Sequence, residues 1–220
     1  MRDCLLFFVR HPEPGRVKTR LAGPATLEDA AAFYAVMVED VLARLTGAIG
    51  ADLLVCFTPA AHGEAMRAWL GEDRRFLAQR GADLGGRMAG GFADAFAMGY
   101  DRVVLTGSDI PGLTPAIVRR GLDALAPGRA VLGPAEDGGY YLVGFHRDGF
   151  VPALFDEAEW GGSGVCARAV ERLRGAGKEA AVLDRLADLD TVDGLRAMLD
   201  SKDCPLTGRA LALARKVAGR

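Results

Sequence analysis

Three short, unbroken apolar runs constrain this chain more than any other feature: residues 4–9 (CLLFFV), 52–57 (DLLVCF) and 102–106 (RVVLT). None alternates apolar with polar residues, so each reads as a strand covered on both faces. Helical patterns lie between them. Leu27, Ala31, Tyr34, Val38, Val41, Leu42 and Leu45 recur at helical spacing behind Thr26 as an N-cap. Residues 64–70 and the Ala- and Gly-rich residues 84–98 read as further helices. Thr114-Pro115 places a cap before a proline at the first helical position and opens a helix to about Leu125. Residues 130–132, 140–145 and 180–183 read as strands, residues 165–174 as a helix, and two helices close the chain. Strands alternating with helices give an α/β domain with a mostly parallel sheet. The chain has 220 residues, without an internal repeat or linker, so one domain over residues 1–220 is expected.

In such sheets ligands bind beyond the carboxyl ends of the strands, so the loops that follow them carry the functional reading. After the first strand comes Arg10-His11-Pro12-Glu13-Pro14-Gly15-Arg16-Val17-Lys18-Thr19-Arg20. Two prolines stiffen this loop and Gly15 permits a tight turn. Cations on a stiff loop lose little entropy on binding an anion, and phosphate oxygens suit both the Lys point charge and the Arg fork. It is not a Walker A loop, because Val17 stands where that motif needs glycine. The plainer alternative is a solvated surface loop.

After residues 102–106 comes Gly107-Ser108-Asp109, an aspartate at a strand tip. It is placed either to hold a hard cation such as Mg²⁺ or to cap a turn. After residues 130–132 comes Glu136-Asp137-Gly138-Gly139-Tyr140, a hairpin signal that can also present carboxylates to a cleft. In Asp188-Leu189-Asp190-Thr191-Val192-Asp193, helix capping accounts for Thr191 and Asp193 but not for Asp188 and Asp190. Arg87, near a glycine-rich helix start, is a further candidate phosphate contact. Gly162-Ser163-Gly164-Val165-Cys166-Ala167 fits the dinucleotide pattern but follows no buried strand, and is set aside as a fingerprint.

Composition removes other classes. The formal charge is −2 and aromatic residues are 7% of the chain, so neither a basic field nor a base-stacking surface argues for nucleic acid. Cys4, Cys56, Cys166 and Cys204 are far apart and no secretory signal is read, which suits free thiols in the cytoplasm. No apolar stretch approaches the ~20 residues that span a bilayer, so no membrane partner is expected. His11, His62 and His146 show no ligand spacing, which makes zinc an unattractive reading.

Five segments together, "PEPGRVKTRLA", "QRGADLGGRM", "LTGSDIPGLTP", "LGPAEDGGYYLVG" and "DLDTVDGL", span Pro12 to Leu195. On them the chain resembles a bacterial family of GT-A-fold transferases described as glycosyltransferase-like or nucleotide-diphospho-sugar transferase-like. More distant relatives are 2-phospho-lactate guanylyltransferase and the molybdenum-cofactor nucleotidyltransferases. The resemblance implies a three-layer αβα sandwich. It implies that Pro14, Gly15, Arg16, Lys18, Thr19 and Arg20 form a phosphate-gripping loop, and that Asp109 holds a metal, with Asp190 as second ligand. Asp137, Gly138, Gly139 and Tyr140 would line the acceptor side. Arg10 and Arg16 stand where lysines are expected, and residues 160–165 depart from the family's Trp-Ser-Thr.

Cations on one loop and carboxylates on others are reconciled by a metal–phosphate substrate. Carboxylates would hold Mg²⁺ or Mn²⁺, and Lys18 and Arg20 would neutralise the rest, with Lys18 and Asp109 as catalytic residues. The donor would be a nucleotide or nucleotide sugar and the acceptor a small molecule. Nucleotidyl transfer from a nucleoside triphosphate to the phosphate of a phosphorylated metabolite would release pyrophosphate, and glycosyl transfer a nucleoside diphosphate. A non-catalytic nucleotide-binding module is the alternative of another class. Asp137 and Glu136 are the nearest candidates for a general base.

Overall fold

The computed structural model describes residues 1–156, 160 and 164–220. Among them, seven strands form one sheet: β1 (Asp3–Arg10), β2 (Asp52–Thr58), β3 (Arg75–Ala78), β4 (Arg102–Gly107), β5 (Arg129–Pro134), β6 (Tyr140–His146) and β7 (Glu179–Val182). Their order across the sheet is β3-β2-β1-β4-β6-β5-β7. β6 runs antiparallel to both its neighbours, and the other pairings are parallel. The helices are α1 (Leu27–Leu45), α2 (Gly63–Leu70), α3 (Leu84–Ala97), α4 (Pro115–Asp123), α5 (Val165–Gly175), α6 (Val192–Asp200) and α7 (Gly208–Ala218).

The pleat of β1 divides the core. Leu5, Phe7 and Val9 join a cluster with α1, α2, α4, α6 and α7, while Cys4, Leu6 and Phe8 join a second cluster with α3 and α5. The result is a three-layer αβα sandwich with a mixed, mostly parallel sheet. All six of these β1 side chains are buried, which explains the unbroken apolar run. Thr26, Thr114 and Thr191 cap their helices, accepting from the amides of Asp29 (3.1 Å), Ile117 (3.3 Å) and Gly194 (3.1 Å).

Two corrections concern elements. Residues 75–78 form an additional edge strand, β3, beyond those expected from the sequence. Four half-exposed residues beginning at an exposed arginine give too short a pattern to separate from a loop. The helix expected to reach Leu125 ends at Asp123. The four cysteines are free, Cys4 and Cys56 fully buried. Among the described residues, no helix is long and apolar enough to cross a membrane.

The parallel strands end on one edge of the sheet, and β6 starts there. The segments after β1, β3, β4, β5 and β7 therefore meet along one line.

Candidate active site

The loop after β1 is held by its apolar members. Val17 and Leu21 are buried, so the charged residues between and around them have fixed anchors. Gly15 turns the chain at φ 77° and Lys18 adopts a left-handed conformation at φ 46°, ψ 37°. The Lys18 side chain is 6% exposed, and its Nζ donates to Asp109 Oδ2 at 3.3 Å and to Asp190 Oδ1 at 3.4 Å. Arg20, largely exposed, donates to the other oxygen of Asp190 at 3.0 Å. One ammonium thus joins segments that follow β1, β4 and β7.

Each aspartate has its own support. A Cβ on Gly107 would lie 2.7 Å from Asp109 Oδ1, so glycine there lets the carboxylate fold back against the end of β4. Ser108 Oγ is hydrogen bonded to the Tyr34 hydroxyl at 2.8 Å, and that hydroxyl accepts from the Arg10 amide at 3.1 Å. Burial pushes the Tyr34 phenol up to about 12, so it stays protonated and pins both loops to α1. Leu189 is fully buried between Asp188 and Asp190, and its amide donates to the Asp109 carbonyl at 3.1 Å.

Two cavities flank Asp109. The first, of about 300 Å³, is lined by Arg10, Arg16, Lys18, Arg87, Tyr34 and Gln79. Among the described residues, Arg10, Arg16 and Arg87 make no ion pair. The Gln79 amide donates Nε2 to the Cys56 carbonyl at 2.8 Å, which fixes its orientation at this wall. The second cavity, of about 290 Å³, is lined by Phe8, Tyr140, Tyr141 and Trp160 and by three carboxylates, Asp109, Asp137 and Asp188. Among the described residues, no lysine, arginine or histidine lines it. Burial, then the neighbouring Asp137 charge, holds the Asp188 carboxyl above the usual carboxylate range. The cavities share Phe8, Leu84, Gly107 and Asp109.

Of the residues expected from sequence, Arg16, Lys18, Arg87 and Asp190 come together in the first cavity, and Asp137, Gly139 and Tyr140 in the second, with Asp109 between them. Pro14, Gly15, Thr19 and Gly138 line neither and shape the backbone instead, Gly138 turning at φ 93° while Asp137 Oδ1 accepts from the Gly139 amide at 2.7 Å. Glu136 lines neither of the two: it lines a third cavity, of about 590 Å³ beside α6, which shares Asp188 with the second. Tyr34, Gln79, Asp188 and Trp160 were absent from the expected set. For Asp188 a signal existed in the alternation around Leu189, and for the others it did not. His11 and His62, remote in sequence, pack with ring centroids 4.6 Å apart. Residues 161–163 of the motif at residues 160–165, two of which also belong to the dinucleotide-like pattern at residues 162–167, lie outside the described residues.

The donor set suits a hard cation. Asp109 and Asp190 both place an oxygen within 3.4 Å of the same cationic nitrogen, so one positive charge can serve both. Among the described residues no group of three or more His, Cys, Asp or Glu is gathered as a metal cage. Mg²⁺ commonly takes one or two carboxylates and completes its shell from phosphate and water, which a pair of aspartates beside unpaired arginines fits.

A crystal structure from Desulfovibrio desulfuricans G20, provisionally assigned as a nucleotide-diphospho-sugar transferase, is 42% identical over 98% of this chain and 95% of that one, with a TM-score of 0.91. The manganese complex of Rv0371C from Mycobacterium tuberculosis H37Rv is 20% identical over 91% of this chain and all of that one (100%), with a TM-score of 0.51. A nucleotidyl transferase from Methanothermobacter thermautotroptrophicus is 13% identical over 88% of this chain and 90% of that one, with a TM-score of 0.54. The last two share the fold. No curated protein matches the chain significantly. A family model described as an uncharacterized protein conserved in bacteria (DUF2064) matches residues 41–162. The chain belongs to this DUF2064 family and has the nucleotide-diphospho-sugar transferase fold.

Proposed function

We propose that the protein is a transferase that moves a glycosyl or nucleotidyl group from a nucleotide-activated donor to a small acceptor, with Mg²⁺ or Mn²⁺. The observation that carries this reading is the buried Lys18 ammonium held by Asp109 and Asp190, beside Arg10, Arg16 and Arg87, which make no ion pair among the described residues. Asp109 and Asp190 would hold the ion, which when bound supplies positive charge to the donor phosphates. Lys18, Arg10, Arg16 and Arg87 bind the phosphate oxygens and stabilise charge on the leaving group. Arg20 orients Asp190. Asp137, Gly139 and Tyr140 face the acceptor. The assignment given to the Desulfovibrio desulfuricans relative and the manganese held by the mycobacterial protein point the same way.

The test is a thermal-shift panel of nucleoside triphosphates and nucleotide sugars, each with and without Mn²⁺. A ligand at ~100 times its dissociation constant adds about 2.7 kcal/mol. For a domain of this size that raises Tm by roughly 5–10 °C. A metal-dependent rise with one nucleotide identifies the donor. Pyrophosphate or nucleoside diphosphate release then distinguishes the two transfers. Lys18→Ala and Asp109→Ala should each lower turnover by about 10²–10³ while staying folded. No shift with any nucleotide, or full turnover in both variants, would overturn the reading.

A further inference from the structure

The two cavities that meet at Asp109 carry opposite charge. The first holds Arg10, Arg16, Lys18 and Arg87. The second holds Asp109, Asp137 and Asp188 and, among the described residues, no cation. This partition bears on the acceptor. A phosphate brought into the second cavity would lose its hydration beside carboxylates, with no fixed donor cation to replace the water. An ion held at Asp109 and Asp190 would neutralise Asp109 and leave Asp137 and Asp188 as the carboxylates of that wall. The remaining surface is aromatic and aliphatic. Tyr140 and Trp160 meet edge to face with centroids 6.2 Å apart, and Phe8 and Val143 extend the apolar wall.

We infer that the acceptor is unphosphorylated: a neutral or cationic molecule with a ring or apolar face, docked in the cavity lined by Tyr140, Trp160, Asp137 and Asp188. This deepens the transferase reading and rests on it. The cavity's apolar walls supply contact area, its carboxylates accept hydrogen bonds from hydroxyl or ammonium groups, and the same carboxylates repel phosphate esters. Charge thus sorts the two substrates: anionic donor on one side of Asp109, non-anionic acceptor on the other.

The chain has two tryptophans, Trp69 and Trp160, so Trp69→Phe leaves Trp160 as the sole indole reporter in the cavity. Trp69 lies outside both cavities, its indole donating to Glu39. With that protein, the nucleotide giving the largest shift is first bound with Mn²⁺. Three probes that share a fluorescence-quenching ring are then titrated: p-nitrophenyl β-glucoside (neutral), p-nitrophenethylamine (cationic) and p-nitrophenyl phosphate (anionic). At least one of the first two should quench Trp160 with a Kd lower than that of the phosphate by about tenfold or more. Asp137→Asn with Asp188→Asn should narrow that gap. The inference is overturned if the phosphate binds as well as the others, if none of the three quenches, or if the double variant leaves the gap unchanged. Each of those results leaves the transferase reading standing, provided the nucleotide shift is present. Loss of the nucleotide shift itself removes both.

Discussion

At Lys18 a non-glycine residue sits at φ 46°, where an L side chain costs about 1–2 kcal/mol. Its ion pairs with Asp109 and Asp190 offset that cost. Two variants separate backbone from charge. Lys18→Ala and Lys18→Gly both remove the ammonium, so both should lose the nucleotide-dependent thermal shift. Lys18→Gly also relieves the left-handed strain and should be the more stable of the pair by about 1 kcal/mol in denaturant titration. Equal stability would mean that the loop relaxes once the ammonium is gone. Gly107 gives a second residue-scale test. In Gly107→Ala the new Cβ would stand 2.7 Å from Asp109 Oδ1 and would push the carboxylate away. Mn²⁺-dependent stabilisation by nucleotide should fall, while Tm without ligand changes little. An unchanged metal-dependent shift would show that the carboxylate tolerates displacement.

Among the elements, α3 breaks the usual preference against glycine in helices because other segments crowd against it. A Cβ on Gly85 would meet the Phe155 carbonyl at 2.1 Å and the Trp160 ring at 2.8 Å. Gly85→Ala gains helix propensity of roughly 1 kcal/mol but must move the segment carrying Trp160. The expected outcome is a red-shifted Trp160 emission and a lower Tm, and an unchanged spectrum would refute the packing argument. Sequence legibility also divides by element. β1, β2 and β4 were readable because residues buried on both faces give unbroken apolar runs. The turn after β5 was readable because Asp137-Gly138 is local chemistry. β3 was not, since its half-exposed four residues carry no period, and its place beside β2 is set by pairing across the sheet. The site shows the same division. Asp109, Lys18 and Asp190 lie in short motifs next to strand ends, whereas Trp160, Tyr34 and Gln79 enter through packing between segments distant in sequence.

For the whole molecule, the expected acid limit is set by charge pairs across the sheet. Asp3 on β1 is 9% exposed and accepts from Arg102 at 2.6 Å and from Arg119 at 2.8 Å. Burial draws its carboxyl upward, but the two guanidinium hydrogen bonds together outweigh this and hold it below its ordinary 3.8. The folded state therefore binds this proton less readily than the unfolded chain. Its contribution is present above 3.8 and lost as pH falls through the lower folded value. His11 acts at milder pH: burial, then His62, holds it below its ordinary 6.5, so its contribution is present above 6.5 and lost as pH falls through the folded value. Asp3→Asn should flatten the more acidic limb of a Tm–pH profile, and His11→Gln the milder one. A profile unmoved by either variant would place the acid sensitivity elsewhere. The joining of Lys18 to Asp190, residues 172 apart, also has a consequence for biosynthesis. A nascent chain that has emerged as far as α4 already carries the cationic loop and Asp109, yet Lys18 lacks Asp190 and the second cavity lacks Asp137 and Asp188. The set of charged groups is then complete only late in translation, and chains released early by the ribosome carry the cationic loop without Asp188 and Asp190.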